Sequence, residues 1–78
     1  MIKVKIQLYA WLEKFTPAGE KIFEIELQLN STVLDLIAKL NLPAEKVTLI
    51  IINGTQQKKK AILRDGDEVK LFPLIAGG

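Results

Sequence analysis

Arg64-Asp65-Gly66-Asp67-Glu68-Val69-Lys70-Leu71-Phe72-Pro73-Leu74-Ile75-Ala76-Gly77-Gly78 is the stretch whose reading decides the fold. It opens on a tight turn, Arg64 to Asp67, of the composition that turns favour. Val69 to Ile75 then reads as a strand. If Val69 and Leu71 point into a core, Lys70 and Phe72 point out of it. The diglycine has no helix to cap and no loop to turn. It offers a thin, flexible peptide with a carboxylate and no Cβ to obstruct a narrow channel. This is the shape required if the Gly78 α-carboxylate is itself the reactive group. The alternative is a frayed end that happens to be glycine. The expected organisation is one domain over residues 1–75 and a flexible tail over 76–78.

Working back from that strand, Asn53-Gly54 is a hairpin signal, which predicts a brief strand from Thr55 to Gln57. Val47 to Ile52 is nearly continuous aliphatic and β-branched, as in a central or doubly covered strand. Before it, Thr32 and Asp35 form a capping-box-like helix start, and Val33, Leu36, Ile37 and Leu40 fall on one stripe. Asn41 and Pro43 end that helix. Ile2, Val4, Ile6 and Leu8 alternate with Lys3, Lys5, Gln7 and Tyr9, and Phe23, Ile25, Leu27 and Leu29 alternate with Glu24, Glu26 and Gln28. These two half-buried strands are expected to form a hairpin through Thr16-Pro17-Ala18-Gly19, lysines facing glutamates on its wet side.

One helix on one face of a mixed four- to five-stranded sheet is an α+β architecture. A hairpin, a crossover helix and a returning strand point to the β-grasp arrangement, with the last strand parallel to the first. That placement projects Gly77 and Gly78 beyond the sheet.

The chain has 78 residues, a net charge of +2, and neither cysteine nor histidine. A domain this small buries only ~60% of the surface its unfolded chain exposes. Without those two residue types it lacks the usual nucleophile, the usual neutral-pH base and the commonest metal ligands. Composition therefore favours a carrier, substrate or binding module over an enzyme, with no metal site. The slight charge gives little reason to expect nucleic acid. No apolar run is long enough for a membrane span, and the alternating start does not read as a signal peptide. A cytoplasmic protein is expected.

The order of elements, Asn53-Gly54, Asp65-Gly66-Asp67-Glu68-Val69, and Leu71-Phe72-Pro73-Leu74-Ile75-Ala76-Gly77-Gly78 together resemble the ubiquitin-like sulfur carriers. These include the small subunit of molybdopterin synthase and the thiamin-biosynthesis sulfur carrier, and the likeness spans essentially the whole chain. Phe72-Pro73 is similar to the molybdopterin-type tail, although Leu74 stands where a second proline is usual. Ile75-Ala76-Gly77-Gly78 resembles the thiamin-type tail equally well. The long first hairpin connection looks molybdopterin-like, and the compact Asn41 to Lys46 link looks thiamin-like. Related carriers also serve tungsten-cofactor synthesis, tRNA thiolation and, in archaea, conjugation to proteins.

The resemblance implies that a ubiquitin-activating-type adenylyltransferase, using ATP and magnesium, adenylylates the Gly78 carboxylate. A persulfide donor of the cysteine desulfurase or rhodanese type then supplies sulfur, leaving a thiocarboxylate for a synthase large subunit or equivalent acceptor enzyme. Ala76 and Gly77 thread the tail, and the chain binds no cofactor of its own. A ubiquitin-like modifier forming isopeptide bonds through Gly78, and a β-grasp interaction module with an inert tail, are the competing readings.

Partner contacts are expected on the sheet face away from the helix, through Lys70, Phe72 and Pro73, with Ile50 and Ile52 outward and Leu49 and Ile51 inward. Other features have plainer readings. Lys58-Lys59-Lys60 reads as a solvated loop and Asp65, Asp67 and Glu68 as a turn lacking the rest of a calcium loop. Tyr9 and Trp11 either anchor the first hairpin or border a ligand site.

Overall fold

The computed structural model describes residues 1–17 and 20–74. The order is β1 (Ile2–Leu8), a 3-10 turn (Ala10–Phe15), β2 (Ile22–Leu27), α1 (Val33–Lys39), a second 3-10 turn (Ala44–Lys46), β3 (Val47–Ile52), β4 (Thr55–Gln57) and β5 (Glu68–Pro73). The five strands lie in the order β2-β1-β5-β3-β4. β5 runs parallel to β1 and antiparallel to β3, which is the expected β-grasp arrangement. β5 ends at Pro73, short of the expected Ile75, with Leu74 already outside it. Ala18, Gly19 and Ile75 to Gly78, and with them the hairpin-turn glycine and the whole tail, lie outside the described residues.

The first hairpin follows its alternation. Lys3 stands opposite Glu26 and Lys5 opposite Glu24, while Ile2, Val4 and Ile6 meet Leu27, Ile25 and Phe23 on the covered side. Two features depart from the expected pattern. The strand stops at Leu27, because Asn30 takes a φ of 70° and the Ser31 amide and hydroxyl both donate to the Gln28 carbonyl. Leu29 is thereby left exposed. The connection after β1 also coils into a 3-10 turn, with Ala10 at a φ of 53°, and this drops Leu12 fully into the core.

α1 starts on a complete capping box between Thr32 and Asp35. Its next orphan amides, those of Val33 and Leu34, donate to the carbonyls of Ala61 and Lys59. It ends on Asn41, whose φ of 59° lets the Asn41 amide reach the Ala38 carbonyl and the Leu42 amide reach the Ile37 carbonyl. This is a Schellman closure with asparagine where glycine is commoner. The stripe Val33, Leu36 and Ile37 buries against β1, β3 and β5 in one core.

On β3 the facing is opposite to the expected one. Ile50 and Ile52 are 3% and 8% exposed, and they stand across from Leu71 and Val69 on the covered side. Leu49 and Ile51 stand across from Phe72 and Lys70 on the bare side. A register shift between Val47 and Leu49 puts Val47, Ile50 and Ile52 all on the core, a spacing that simple alternation cannot give. The continuous aliphatic run hides this phase, since every residue in it suits either face.

Candidate functional site

The helix covers one face of the sheet, and among the described residues no element lies over the other, the bare face. Along the centre of that bare face β1, β5 and β3 contribute Tyr9, Phe72, Leu49 and Ile51, all half-buried. Tyr9 continues the outward alternation of Lys3, Lys5 and Gln7 just past the end of β1, and its amide donates to the Leu71 carbonyl at 3.1 Å. That bond fixes Tyr9 alongside the end of β5. Its ring stacks on Phe72 with centroids 4.2 Å apart and planes 14° from parallel. Beyond the aromatic pair the face becomes a shallow hollow of about 240 Å³ over β2, β1 and β5, walled by Lys5, Gln7, Ile22, Glu24, Glu68 and Lys70. The arrangement is an apolar centre with a charged rim of both signs, which is how protein-binding patches are built.

Of the expected contact residues, Phe72 and Lys70 lie on this face as read from the alternation. Ile50 and Ile52 do not, because the β3 shift turns them into the core, and Leu49 and Ile51 take their places. Pro73 is buried, being the next inward step after Val69 and Leu71. Gly78, Gly77 and Ala76 lie outside the described residues. Just past the end of β5 the backbone is still held, since the Leu74 amide donates to the Lys46 carbonyl at 2.9 Å.

Tyr9 was not among the expected contact residues, being read as a hairpin anchor or the border of a ligand site; its outward phase with Lys3, Lys5 and Gln7 was the signal that could have placed it beside Phe72. Trp11 sits apart from it in the 3-10 turn with the Lys14 Nζ 5.5 Å from its ring centroid. Trp11 is 41% exposed, and it is Leu12, beside it, that ties the connection to the core.

Asp65-Gly66-Asp67 clips the start of β5 to two neighbours. The Lys3 amide donates to Asp65 Oδ1, the Gly66 amide to the Lys3 carbonyl and the Lys5 amide to the Asp67 carbonyl. Asn53 Nδ2 donates to Asp67 Oδ1 while Asn53 Oδ1 accepts from the Glu68 amide, and Asp67 Oδ2 accepts from the Arg64 amide. The carboxylates thus serve the turn. Gly66 takes a φ of 87°, which explains glycine at this point. In the lysine run, Lys59 donates its Nζ to the Ala44 carbonyl, whereas Lys58 and Lys60 are exposed.

A model of the ThiS family matches residues 6–78. A comparison with curated protein sequences finds no match. Among solved structures, a Pyrococcus furiosus protein assigned as molybdopterin converting factor, subunit 1, superposes with a TM-score of 0.74 at 29% identity, covering 96% of this chain and 100% of that one. The small archaeal modifier protein 1 of Haloferax volcanii gives a TM-score of 0.75 at 20% identity, covering 96% and 100%. A complex of subunits 1 and 2 of the molybdopterin-converting factor of Helicobacter pylori gives 0.60 at 24%, covering 99% and 100%. At these last two identities the likeness is one of fold. The family match reaches from β1 through Gly78, takes in both the bare face and the diglycine, and shows that the chain belongs to the ThiS family of ubiquitin-like sulfur carriers.

Proposed function

We propose that this chain is a sulfur carrier for cofactor biosynthesis, of the molybdopterin-synthase small-subunit type, and that its reactive group is the Gly78 carboxylate. The observation that carries the reading is the family match, which extends from residue 6 to Gly78 and so includes the diglycine. The likeness to the Pyrococcus furiosus protein over nearly the whole of both chains supports the subtype.

A carboxylate resists nucleophiles because its charge repels them and oxide is a hopeless leaving group. A ubiquitin-activating-type enzyme removes both obstacles by transferring AMP from ATP to the carboxylate, releasing pyrophosphate. The terminal sulfur of a persulfide attacks the acyl carbon and AMP leaves. A thiol then cleaves the acyl disulfide, taking the donor's sulfur into a new disulfide and leaving the thiocarboxylate on Gly78. Stabilisation of the acyl-transfer transition state belongs to the activating enzyme, as do ATP and magnesium. This chain contributes the carboxylate, a thin approach through Ala76 and Gly77, and the docking face around Phe72. It is a protein cosubstrate that needs neither cysteine nor histidine.

A synthase large subunit is the proposed acceptor. A thiamin-type carrier shares every step as far as the thiocarboxylate and differs in the acceptor. A protein modifier shares only the activation and ends on a lysine amine. The decisive variant adds one alanine after Gly78. ATP–pyrophosphate exchange by the activating enzyme is expected with the native chain and lost with the extended one. Exchange that survives the extension overturns the carboxylate assignment.

A further inference from the structure

A second surface lies away from the bare face. Between β4 and the segment leading to β5 the molecule carries an open hollow of about 600 Å³, lined among others by Thr55, Gln57, Lys60, Ile62 and Arg64. It shares no residue with the hollow over β2, β1 and β5. From residue 60 to residue 64 exposure alternates. Lys60, Ile62 and Arg64 are exposed, Ala61 is half-buried and Leu63 is 1% exposed. Folding therefore uses Ala61 and Leu63, and holds Ile62 out with 58% of its surface in water between two cations.

The backbone beneath these side chains is fixed from several directions. The Leu63 amide donates to the Ser31 carbonyl at 2.7 Å, and the Val33 amide to the Ala61 carbonyl at 3.1 Å. Ile62 forms an isolated antiparallel bridge with Thr32, and the Arg64 amide is held by Asp67. The one acidic side chain lining the hollow is Asp67, and both its oxygens already accept hydrogen bonds from Asn53 and Arg64.

We propose that this surface binds a short, extended, acidic segment of a protein partner. Its repeat is acid, spacer, aliphatic, spacer, acid, so that two carboxylates meet Lys60 and Arg64 while the aliphatic side chain covers Ile62. The match is one of charge and of period, because an extended chain also presents every second residue to one side. The held backbone means that little ordering free energy is lost on binding. The proposal does not depend on the chemistry at Gly78, and it lets the carrier hold one partner here while another occupies the bare face.

The test is a titration of the nitrogen-15-labelled chain, followed amide by amide by NMR. The probe is a synthetic peptide containing Glu-Ser-Leu-Ser-Glu, run beside versions with serine for leucine and lysine for glutamate. Saturable shifts are expected over Thr55 to Arg64. Affinity should fall about tenfold or more in the Lys60→Glu/Arg64→Glu double variant, in Ile62→Ser and with the leucine-free peptide. The Phe72→Ala variant should bind as the native chain does, and the spectra themselves report folding. Equal binding of the leucine-free peptide overturns the proposal in favour of a merely solvated cationic surface. Tighter binding of a single-stranded RNA oligonucleotide at the same amides overturns it in favour of nucleic acid. No saturable shift overturns it outright.

Discussion

On the covered face of the sheet, Val4, Ile6, Val69, Leu71 and Ile50 are each at most 3% exposed and pack into one core with the helix stripe. On the bare face Leu49, Ile51, Phe72 and the ring of Tyr9 are also largely apolar, yet no element of the described chain lies over them. The first set is explained by folding, since each buried aliphatic side chain contributes ~1.5–3 kcal/mol by leaving water. The second set is not. A solitary apolar side chain at the surface is ordinary, but four half-buried ones side by side over β3, β5 and the end of β1 are what the proposed docking face rests on. The contrast between the faces teaches that the same period-two pattern fills a core on one side and, on the other, leaves the apolar surface that the proposed function uses for docking.

Substitutions can break that contrast. Leu71→Ala, on the covered face, is expected to cost ~2–5 kcal/mol. For a domain of this size the Tm should fall by about 10–30 °C, which a calorimetric scan will show. A fall of only a few degrees would contradict the placement of the core. Adjacent isoleucines on β3 sharpen the test. Ile50→Ala should destabilise by a similar ~2–5 kcal/mol and Ile51→Ala by less than about half of that, as read from urea midpoints. Equal losses, or the reverse order, would undo the register shift.

Phe72→Ala should lose roughly 1–2 kcal/mol of stability through its stacking on Tyr9, and bind the activating enzyme ~10–100-fold more weakly. Calorimetric titration measures the second effect; native affinity in a folded variant would remove Phe72 from the interface. Thr32→Ala is the smallest change, expected to cost ~1 kcal/mol by uncapping α1 while leaving partner affinity unchanged. Its readout is the denaturation midpoint set beside the same binding titration.

Much of the fold was legible because local signals agreed. Alternation set β1 and β2 in register, Thr32 and Asp35 fixed the helix start, and Asn53-Gly54, with φ of 51° and 83°, made the tight turn between β3 and β4. The misreadings share a cause, namely stretches where sequence leaves more than one arrangement open. Val47 to Ile52 offers no polar residue in its second half to set the phase, so the shift after Val47 turned Ile50 and Ile52 inward unannounced. Leu29 continued a strand pattern past the point where Asn30 and Ser31 turn the chain. Leu12 belongs to a 3-10 turn too short to show a period of its own. The site was half legible. Phe72 and Lys70 follow from β5 alone, whereas pairing Phe72 with Tyr9 and Leu49 needs the order β1-β5-β3.

The most direct test of the carrier assignment is mass spectrometry of the chain after incubation with ATP, magnesium, an activating enzyme and a persulfide donor. The account predicts replacement of one oxygen by sulfur, localised to the C-terminal fragment containing Gly78. Localisation matters, because oxidation of Met1 or Trp11 gives nearly the same mass gain. An unmodified Gly78 across several activating enzymes, each shown to load its own carrier in the same buffer, would contradict it.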